Sequence, residues 1–387
     1  MKPSLSQLYV LHVLNDGVRT ALVVLLPFIA KDLSLSLTQV GFLGSSQGLL
    51  MMALAVPAGL LAARLGGLRL LSFALILYSV SVIAISFSTD ISLVLLAFYA
   101  AAVGFGVFHP VGFASIAKYA PKDQIGISMG KFSSLGEIGR MGIPPAAILA
   151  TSFVGWRPTM LVLGIIGCVF FALMKLLTTT KDENTSEEKE HHVDWIKNLF
   201  ILAKQPRVLF AALSNTFDGS ASNIVTIFYP FAILAKGISP FMLGILTGVY
   251  FLGGLGGKMI LGHAADKMKN SSLFIISEVL MALLLLFLAF STNLYILFII
   301  SIFLGAFTKG TSAVVQTLIS DSAQGSQHEK VFSISETFSG IGSASAPLLA
   351  GIVADHYGVI STLYLAMSIT LLAVIPAYLF QMYENKA

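Results

Sequence analysis

Residues 70–108 read LLSFALILYSVSVIAISFSTDISLVLLAFYAAAVGFGVF and contain one charged residue, Asp90. The apolar runs on either side of FSTD (residues 87–90) each approach the roughly 20 residues that an α-helix needs to cross about 30 Å of hydrocarbon. Strands and amphipathic helices of water-soluble cores have shorter apolar runs. The stretch therefore predicts two membrane-spanning helices joined by a short turn.

The rest of the chain repeats this pattern, since 56% of its 387 residues are hydrophobic and only 11% are charged, against about 25% in soluble proteins. We expect the first apolar run to be kept as a span, because it is too long for the core of a signal peptide. The only cysteine, Cys168, excludes a disulfide framework. The sequence predicts an all-α membrane protein with twelve spans, at about residues 6–30, 38–63, 69–88, 91–117, 126–152, 157–178, 207–235, 241–264, 271–290, 293–320, 329–353 and 358–381.

The distribution of Lys and Arg predicts the orientation, because these residues are enriched in cytoplasmic loops. With both termini inside, only Lys31, Arg157 and Lys236 lie outside. The cytoplasmic segments then hold Lys2, Arg64, Arg69, Lys118, Lys122, Lys175, Lys181, Lys189, Lys197, Lys204, Arg207, Lys267, Lys269, Lys330 and Lys386. We therefore expect a multi-pass protein of a bacterial inner membrane with both termini in the cytoplasm.

One long polar stretch divides the chain. Residues 179–205 mix both charge signs and have few apolar residues, so they cannot bury a core. We expect them to form a cytoplasmic linker between an N-terminal six-helix bundle (1–178) and a C-terminal six-helix bundle (206–387). His191 and His192 in this linker lack a third ligand at metal-binding spacing, and we predict neither a metal nor a cofactor.

The two halves are related by an internal repeat. A shift of 203 residues aligns FSTD (87–90) with FSTN (290–293), and Asp16-Gly17 aligns with Asp218-Gly219 at a shift of 202. The same register pairs Pro27 with Pro230, Gly41 with Gly244, Gly59 with Gly262, Arg64 with Lys267, Gly139 with Gly342, Pro144 with Pro347, Gly155 with Gly358 and Thr159 with Thr362. Two parallel, pseudo-symmetric six-helix halves are typical of the major facilitator fold.

Several strings resemble that superfamily more closely. GLLAARLGGLR (59–69) and GHAADKMK (262–269) are similar to its loop signature, although Ala63 stands where the usual Asp would be. The resemblance implies a conformational clamp formed by Arg64 in the first half, and by Asp266 and Lys267 in the second, where it should be intact. LHVLNDG (11–17) and GVFHP (106–110) resemble the fosmidomycin-resistance branch of drug exporters. GEIGRMGIPP (136–145) and GIGSASAPLLAG (340–351) are similar to an antiporter signature, which favours export.

Ionisable side chains within hydrocarbon are costly, and each is a functional candidate. We expect four residues to take part in proton coupling: Asp16, Glu137, Asp218 and His109. Glu137 with Arg140, and Asp16 with Arg19, are three residues apart and able to pair on one helix face. Such pairs either lock helices together or release the Arg when the acid is protonated. His109 precedes Pro110, so its ring either caps the freed carbonyl or relays protons.

The substrate is predicted to be a small anionic or zwitterionic molecule, because guanidinium groups bind carboxylate or phosphonate bidentately. The candidate substrate-binding residues are Arg19, Arg140, Lys309, Asn215, Gln47 and Gln316. Glu278 and Glu336 are weaker candidates for a substrate or proton role, and Lys131 and Lys258 are expected to be membrane anchors.

Three other classes of protein fit less well. The basic residues do not form one patch, which argues against a nucleic-acid partner. GGLGGKM (253–259) has Met259 where a phosphate loop needs Ser or Thr, which argues against an ATPase. A membrane-embedded enzyme would need a nucleophile and base, and His109, Glu137 and Asp218 are too dispersed. We expect a monomeric proton-coupled transporter in the lipid bilayer that exports its substrate, with proton symport of a carboxylate or sugar-like metabolite as the alternative.

Overall fold

The computed structural model describes residues 5–121, 124–177, 201–323 and 328–384, and almost all of them are helical. Most of the predicted linker, including His191 and His192, lies outside the described residues. In chain order, the long helical segments of the described part are α1 (Leu5–Val24), α2 (Leu26–Asp32), α3 (Leu37–Leu65), α4 (Gly67–Ser86), α5 (Ile91–Tyr119), α6 (Ile125–Val154), α7 (Trp156–Leu177), α8 (Pro206–Ala235), α9 (Pro240–Ala265), α10 (Asn270–Phe290), α11 (Leu294–Ser322), α12 (His328–Tyr357) and α13 (Ser361–Glu384).

These helices correspond to the predicted spans one by one. The first span is α1 followed by α2, which bend by 42° at a break where Pro27 occupies the first turn of α2. Proline lacks the backbone N–H that would continue the ladder of the preceding helix, which explains the bend. Eight of the described helices are long and apolar enough to cross a bilayer by themselves, and the bent pair is a ninth.

The repeated FSTD and FSTN strings have the same structural role. Asp90 precedes α5, and its carboxylate accepts hydrogen bonds from the backbone N–H groups of Ser92 (2.8 Å) and Leu93 (3.2 Å). Asn293 precedes α11, and its side-chain oxygen accepts from the Tyr295 (2.9 Å) and Ile296 (3.4 Å) N–H groups. Asp and Asn are favoured at this position because they satisfy N–H groups that the first helical turn leaves unpaired.

The repeated glycines Gly155 and Gly358 also match. They directly follow α6 and α12, and their φ angles are +85° and +81°. Residues with a Cβ adopt this left-handed conformation only with strain, so glycine is the residue that can end both helices in this way.

The packing of the helices divides the chain into two units. Among the described residues, the first contains 5–35, 46–121, 124–177 and Pro240–Ile245, and the second contains Ser36–Ser45, 201–239, 246–323 and 328–384. In the first unit α1 packs on α6, and α4 packs on α5 and α7. In the second unit α8 packs on α12, and α10 packs on α11 and α13. These pairs correspond under the repeat, whereas the extensive packing of α8 on α13 has only a small counterpart between α1 and α7.

Large apolar side chains also cover the outside of the helices. Leu96, Phe153 and Phe290 are 68%, 75% and 72% exposed. A water-soluble protein does not expose apolar residues of this size throughout its surface. Each unit nevertheless has a buried interior, with Phe98 and Phe105 in the first unit and Phe274 and Phe380 in the second. This distribution is that of a protein whose outer surface faces lipid.

Candidate functional site

The candidate site of the first unit lies where α1 and α6 approach closely. A Cβ on Gly139 would collide with the backbone carbonyl of Val13. A Cβ on Gly136 would lie 2.6 Å from Nε2 of His12 and 2.9 Å from Oδ2 of Asp16. Both glycines face α1, and their lack of a side chain lets the two backbones come together. The GEIGRMG string thus places the charged residues of α6 against the polar residues of α1.

An ion network crosses this contact. The Asp16 carboxylate is completely buried, and its Oδ2 accepts a hydrogen bond from a terminal nitrogen of Arg140 at 2.5 Å. The other terminal nitrogen of Arg140 donates to Oε1 of Glu137, also at 2.5 Å. One guanidinium therefore holds two carboxylates. The predicted pairing of Glu137 with Arg140 is present, and it extends to Asp16 on a different helix.

Asp16 does not pair with Arg19, although their spacing allowed it. Among the described residues, the carboxylate of Asp16 forms ion-pair contacts with Arg140, His12 and His109 instead. Arg19 acts on Asp16 and Arg140 only through longer-range electrostatics. The expected Asp16–Arg19 pair was therefore wrong, because the close approach of α6 brings a second guanidinium nearer than the one on the same helix.

Two histidines complete the network. Nε2 of His109, on α5, lies 3.2 Å from Oδ1 of Asp16, and Nε2 of His12 lies 3.1 Å from Oδ2. The side-chain amide of Asn15 also donates to Oδ1, at 3.0 Å. Of the two alternatives left open for His109, the structure brings its ring to an acid on α1.

The hydrogen bonds of His12 indicate where a proton must lie. Its Nδ1 is 2.7 Å from the carbonyl oxygen of Phe132, which can only accept, so Nδ1 carries a hydrogen. Its Nε2 is buried and has no other hydrogen-bond partner in the described part of the chain than the facing carboxylate of Asp16. Two bare acceptors at 3.1 Å repel each other. The geometry is therefore satisfied when one proton lies between His12 and Asp16.

The network extends from a buried interior to a partly exposed edge, which is formed by Arg140, Glu137 and His109. Asp16 and His12 are 0% and 3% exposed, whereas the side chains of Arg140, Glu137 and His109 are 29%, 22% and 27% exposed. With one proton shared by His12 and Asp16, and with His109 neutral, that proton and Arg140 balance the two carboxylates, and Arg19 adds one positive charge nearby. Arg140, His109 and Glu137 are therefore the members of the network that a molecule outside it can reach.

Three side chains of this network are close enough to one another to be considered as metal ligands. The ligand atoms of His12, Asp16 and His109 lie within 4.8 Å of one another. The guanidinium of Arg140, however, already occupies Oδ2 of Asp16, and its positive charge opposes a second cation at that carboxylate. The arrangement suits protons better than a metal ion.

The second unit contains a separate buried acid. Asp218, on α8, is 5% exposed, and its Oδ1 accepts a hydrogen bond of 2.9 Å from the hydroxyl of Thr311 on α11. Glu278, on α10, is completely buried beside it. The ammonium of Lys309 donates to the hydroxyl of Thr226 at 2.7 Å and also acts electrostatically on Asp218.

The remaining predicted residues are more scattered. The amide of Asn215 donates to the hydroxyl of Ser335 on α12 at 2.9 Å, an interhelical bond. Gln47 is 5% exposed, and its amide nitrogen has no hydrogen-bond partner in the part of the chain that the structure describes. Gln316 is exposed. A substrate role for these three residues stays a prediction.

The predicted clamp residues Arg64, Asp266 and Lys267 are exposed at the ends of α3 and α9. Within the described ranges, none of them forms a salt bridge. The clamp likewise stays a prediction.

Sequence reasoning missed one side chain of these clusters and ranked another low. His12 was passed over although it is four residues before Asp16 in LHVLNDG and hence on the same helix face. Glu278 was ranked low because its span was expected to be peripheral, and only the fold places it beside Asp218. The spacing could have identified His12, whereas no local signal identifies the partner of Glu278.

Comparisons with known proteins agree with this architecture. The nucleoside transporter NupG superposes with a TM-score of 0.81 at 13% identity and covers 98% of each chain. A bacterial homologue of the human lysosomal transporter Spinster gives a TM-score of 0.77 at 14% identity, over 97% of this chain and 95% of that one. At such identities these neighbours confirm the twelve-helix fold alone.

The sequence relatives are more informative about the branch. Multidrug resistance protein MdtG of Escherichia fergusonii is 24% identical over 258 residues, which is 65% of this chain and 62% of the relative. MdtG of Citrobacter koseri is 25% identical over 260 residues, 65% of this chain and 63% of the relative. The chain thus aligns with less than two thirds of the length of these relatives.

The family match extends over nearly the whole chain. The Major Facilitator Superfamily matches residues 8–231 and 211–387. Its members are transporters, so the expectation that this protein is not an enzyme is confirmed. This multi-pass membrane protein belongs to the Major Facilitator Superfamily and is similar to its drug-exporter branch.

Proposed function

We propose that this protein is a proton-coupled secondary transporter of a small zwitterionic or anionic molecule in the bacterial inner membrane, and that it exports a zwitterionic substrate in exchange for protons. The observation that supports this function is the guanidinium of Arg140, held by the carboxylates of both Asp16 and Glu137 beside two histidines. Protons and substrate then act on the same groups, which is the requirement for coupling.

A proton changes what Arg140 can bind. When Asp16 or Glu137 is protonated, its attraction for the guanidinium falls, and donors of Arg140 become available. When both acids are ionised, the donors of Arg140 are committed to them. The acids and Arg140 thus form a switch that responds to proton binding, and the contact with His109 gives the buried Asp16 a route for protons to the partly exposed edge.

A zwitterionic substrate suits exchange best. Its cationic group would bind the carboxylates and displace Arg140, which would in turn bind the anionic group of the substrate bidentately. Protons compete with the cationic group for Asp16 and Glu137. Because proton and substrate cannot occupy the carboxylates together, each leaves when the other arrives, and transport becomes an exchange.

A purely anionic substrate leads to the alternative function. The anion would bind Arg140 only after both carboxylates that hold it were neutralised. Protons and anion would then be carried together, which describes proton symport of a carboxylate or an anionic sugar derivative. Because two carboxylates bind Arg140, proton symport is the expected mechanism for any substrate that lacks a positive charge.

The relatives support the direction of transport. Both bear the name multidrug resistance protein, and a transporter that protects a cell against a compound must move that compound outward. Export also agrees with the antiporter-like strings on α6 and α12. We retain both termini in the cytoplasm, a monomeric state, and substrate contacts from Arg19, Lys309, Asn215, Gln47 and Gln316 as parts of this proposal.

The sign of coupling tests the proposal in proteoliposomes. We expect an acidic lumen to drive uptake of a zwitterionic aminophosphonate such as 2-aminoethylphosphonate, since protons leave as substrate enters. Uptake driven by an acidic exterior would instead establish symport. Ethylphosphonate, which lacks the amino group, serves as the matched anionic probe. Equal response of both probes to the pH gradient would contradict the role given to the two carboxylates.

Two variants refine the test. Glu137→Gln should abolish transport driven by a pH gradient and leave counterflow exchange, because one titrating partner of Arg140 is lost while the binding edge remains. Asp321→Asn, an exposed acid at the end of α11, is the matched control and should transport normally. Unchanged gradient-driven flux in Glu137→Gln would exclude Glu137 as a coupling acid.

A further inference from the structure

Glu278 presents a buried carboxyl group without a hydrogen-bond donor. Its residue is 0% exposed, and neither Oε1 nor Oε2 receives a hydrogen bond from a donor in the described ranges of the chain. An ionised carboxylate in hydrocarbon without such donors is strongly disfavoured. Glu278 must therefore be protonated, or it must share a proton with a neighbouring group.

The neighbour is a second carboxyl group. The carboxyl groups of Glu278 on α10 and Asp218 on α8 are neighbours that interact directly. Carboxylate oxygens only accept, so this contact is a hydrogen bond only if one of the two groups carries a proton. Two ionised carboxylates in contact would repel each other. Paired carboxyl groups avoid this repulsion by sharing one proton.

The surroundings indicate which group is the acceptor. The hydroxyl of Thr311 donates to Oδ1 of Asp218, and Lys309 acts electrostatically on Asp218. Both interactions favour negative charge on Asp218. Neither oxygen of Glu278, by contrast, receives a hydrogen bond in the described ranges, so no donor there stabilises a negative charge on it. The favoured arrangement has the proton on Glu278, whose O–H donates to the carboxylate of Asp218.

We propose that Asp218 and Glu278 form a second proton-binding site, distinct from the Asp16 network, that holds one shared proton at neutral pH. Both residues lie in the second unit, and Asp16, Glu137 and Arg140 lie in the first. The site goes beyond the proposed exchange mechanism and does not require it, because its occupancy is set by contacts among α8, α10 and α11.

Infrared spectroscopy of the purified protein in detergent tests this site directly. A protonated carboxyl group has a C=O stretching band that is separate from that of a carboxylate and shifts in D₂O. We expect Glu278→Gln to remove one such band at neutral pH. The amide of Gln can still donate to Asp218, so this variant should fold. Glu384→Gln, an acid at the end of α13 that accepts from the hydroxyl of Ser271, is the matched control and should leave the band unchanged.

Proton counting gives a second readout. Between neutral and alkaline pH, the wild-type protein should release about one proton per chain more than Glu278→Gln. Asp218→Asn replaces the carboxylate that accepts the hydrogen bond from Glu278 by a neutral amide. The C=O band of Glu278 should therefore shift or disappear. A band and a proton count that both variants leave unchanged would overturn the proposal. Neither readout involves substrate, so failure here leaves the exchange mechanism standing, and failure of exchange leaves this site standing.

Discussion

Asp16 and Asp218 stand at corresponding places in the two halves of the chain, on α1 and α8, and both are buried. Their partners differ completely. Asp16 contacts Arg140, His12, His109 and Asn15, whereas Asp218 contacts Thr311 and the carboxyl group of Glu278. The guanidinium of Arg140 and a proton shared with His12 balance the first acid, whereas a proton shared with a second carboxyl group balances the other. The same backbone position therefore accommodates a buried carboxyl group in two chemically different ways.

The repeat explains how this difference arises. Gly139 and Gly342 correspond at a shift of 203, and a Cβ on either would meet the facing helix, so the packing of α6 on α1 resembles that of α12 on α8. The next residue in each half is Arg140 or Ser343. Ser343 accepts from the amide of Asn223 at 2.8 Å and provides no charge for Asp218. The repeat thus keeps helix packing and lets the charges diverge.

Removing the cation from the first half should have the largest effect on stability. Arg140→Ala leaves the buried carboxylate of Asp16 without its guanidinium, and losing one partner of a buried ion pair costs about 3 kcal/mol of unfolding free energy or more. Ser343→Ala, the corresponding change in the second half, should cost about 1 kcal/mol or less. Unfolding of both variants in detergent measures the contrast, and equal losses would mean that Arg140 is not the group that stabilises Asp16.

Adding a methyl group between α1 and α6 should have the next largest effect. Gly139→Ala places a Cβ against the carbonyl of Val13, which is backbone and cannot move aside. Overpacking of this kind costs about 2 kcal/mol. Gly342→Ala should cost less, because the closest atom that it meets is the hydroxyl of Ser220, a side chain that can rotate.

Gly142→Ala is the internal control for this comparison, since a Cβ there has no described neighbour within 4 Å. It should leave the unfolding free energy unchanged or raise it slightly, as Ala is the better helix former. A loss in Gly142→Ala as large as that in Gly139→Ala would show that the effect belongs to helix propensity rather than to the approach of α1.

The hydroxyl that supports Asp218 should contribute less than the packing of α6. Thr311→Val keeps the shape of the side chain and removes the hydrogen bond to Oδ1 of Asp218. A single buried hydrogen bond contributes about 1 kcal/mol. Thr308→Val, one turn earlier on α11 and bonded to Tyr250, is a matched control for the loss of a buried hydroxyl. The two variants should lose similar stability, but only Thr311→Val should alter the carboxyl band of the Asp218–Glu278 site.

The smallest expected difference concerns the two helix caps. Backbone N–H groups of Leu93 and Ser92 lower the pKa of Asp90, so this cap is at full strength above the ordinary carboxyl pKa and weakens as pH falls through the lowered value. Asn293 does not titrate. Amide hydrogen exchange should therefore show that Ser92 and Leu93 lose protection in acid, while Tyr295 and Ile296 do not. A parallel loss at both caps would rule out titration of Asp90 as its cause.

Most of the fold could be predicted because its signals are local. Apolar runs of about 20 residues define the spans, and all twelve predicted spans coincide with described helices. The pairing of Glu137 with Arg140 was also predictable, since residues three apart share a helix face. The same rule was wrong for Asp16 and Arg19. Spacing along a helix shows which side chains can pair, but it does not show whether a side chain from another helix lies closer.

The partners across helices could not be predicted. Asp16 and Arg140 are 124 residues apart, and Asp218 and Glu278 are 60 apart on helices that have no spacing rule between them. Their contacts depend on the rotation of each helix about its axis and on glycines that permit close approach. A single sequence records the glycines but does not record the rotations.

Hydropathy and the internal repeat were sufficient to determine that this chain spans a membrane twelve times in two related halves, because transfer of apolar side chains from water is additive along a helix. Whether each buried acid is balanced by a guanidinium or by a second carboxyl group was decided only by tertiary structure. Electrostatic interactions depend on distances of a few ångströms between helices, and those distances are set by packing rather than by order along the chain.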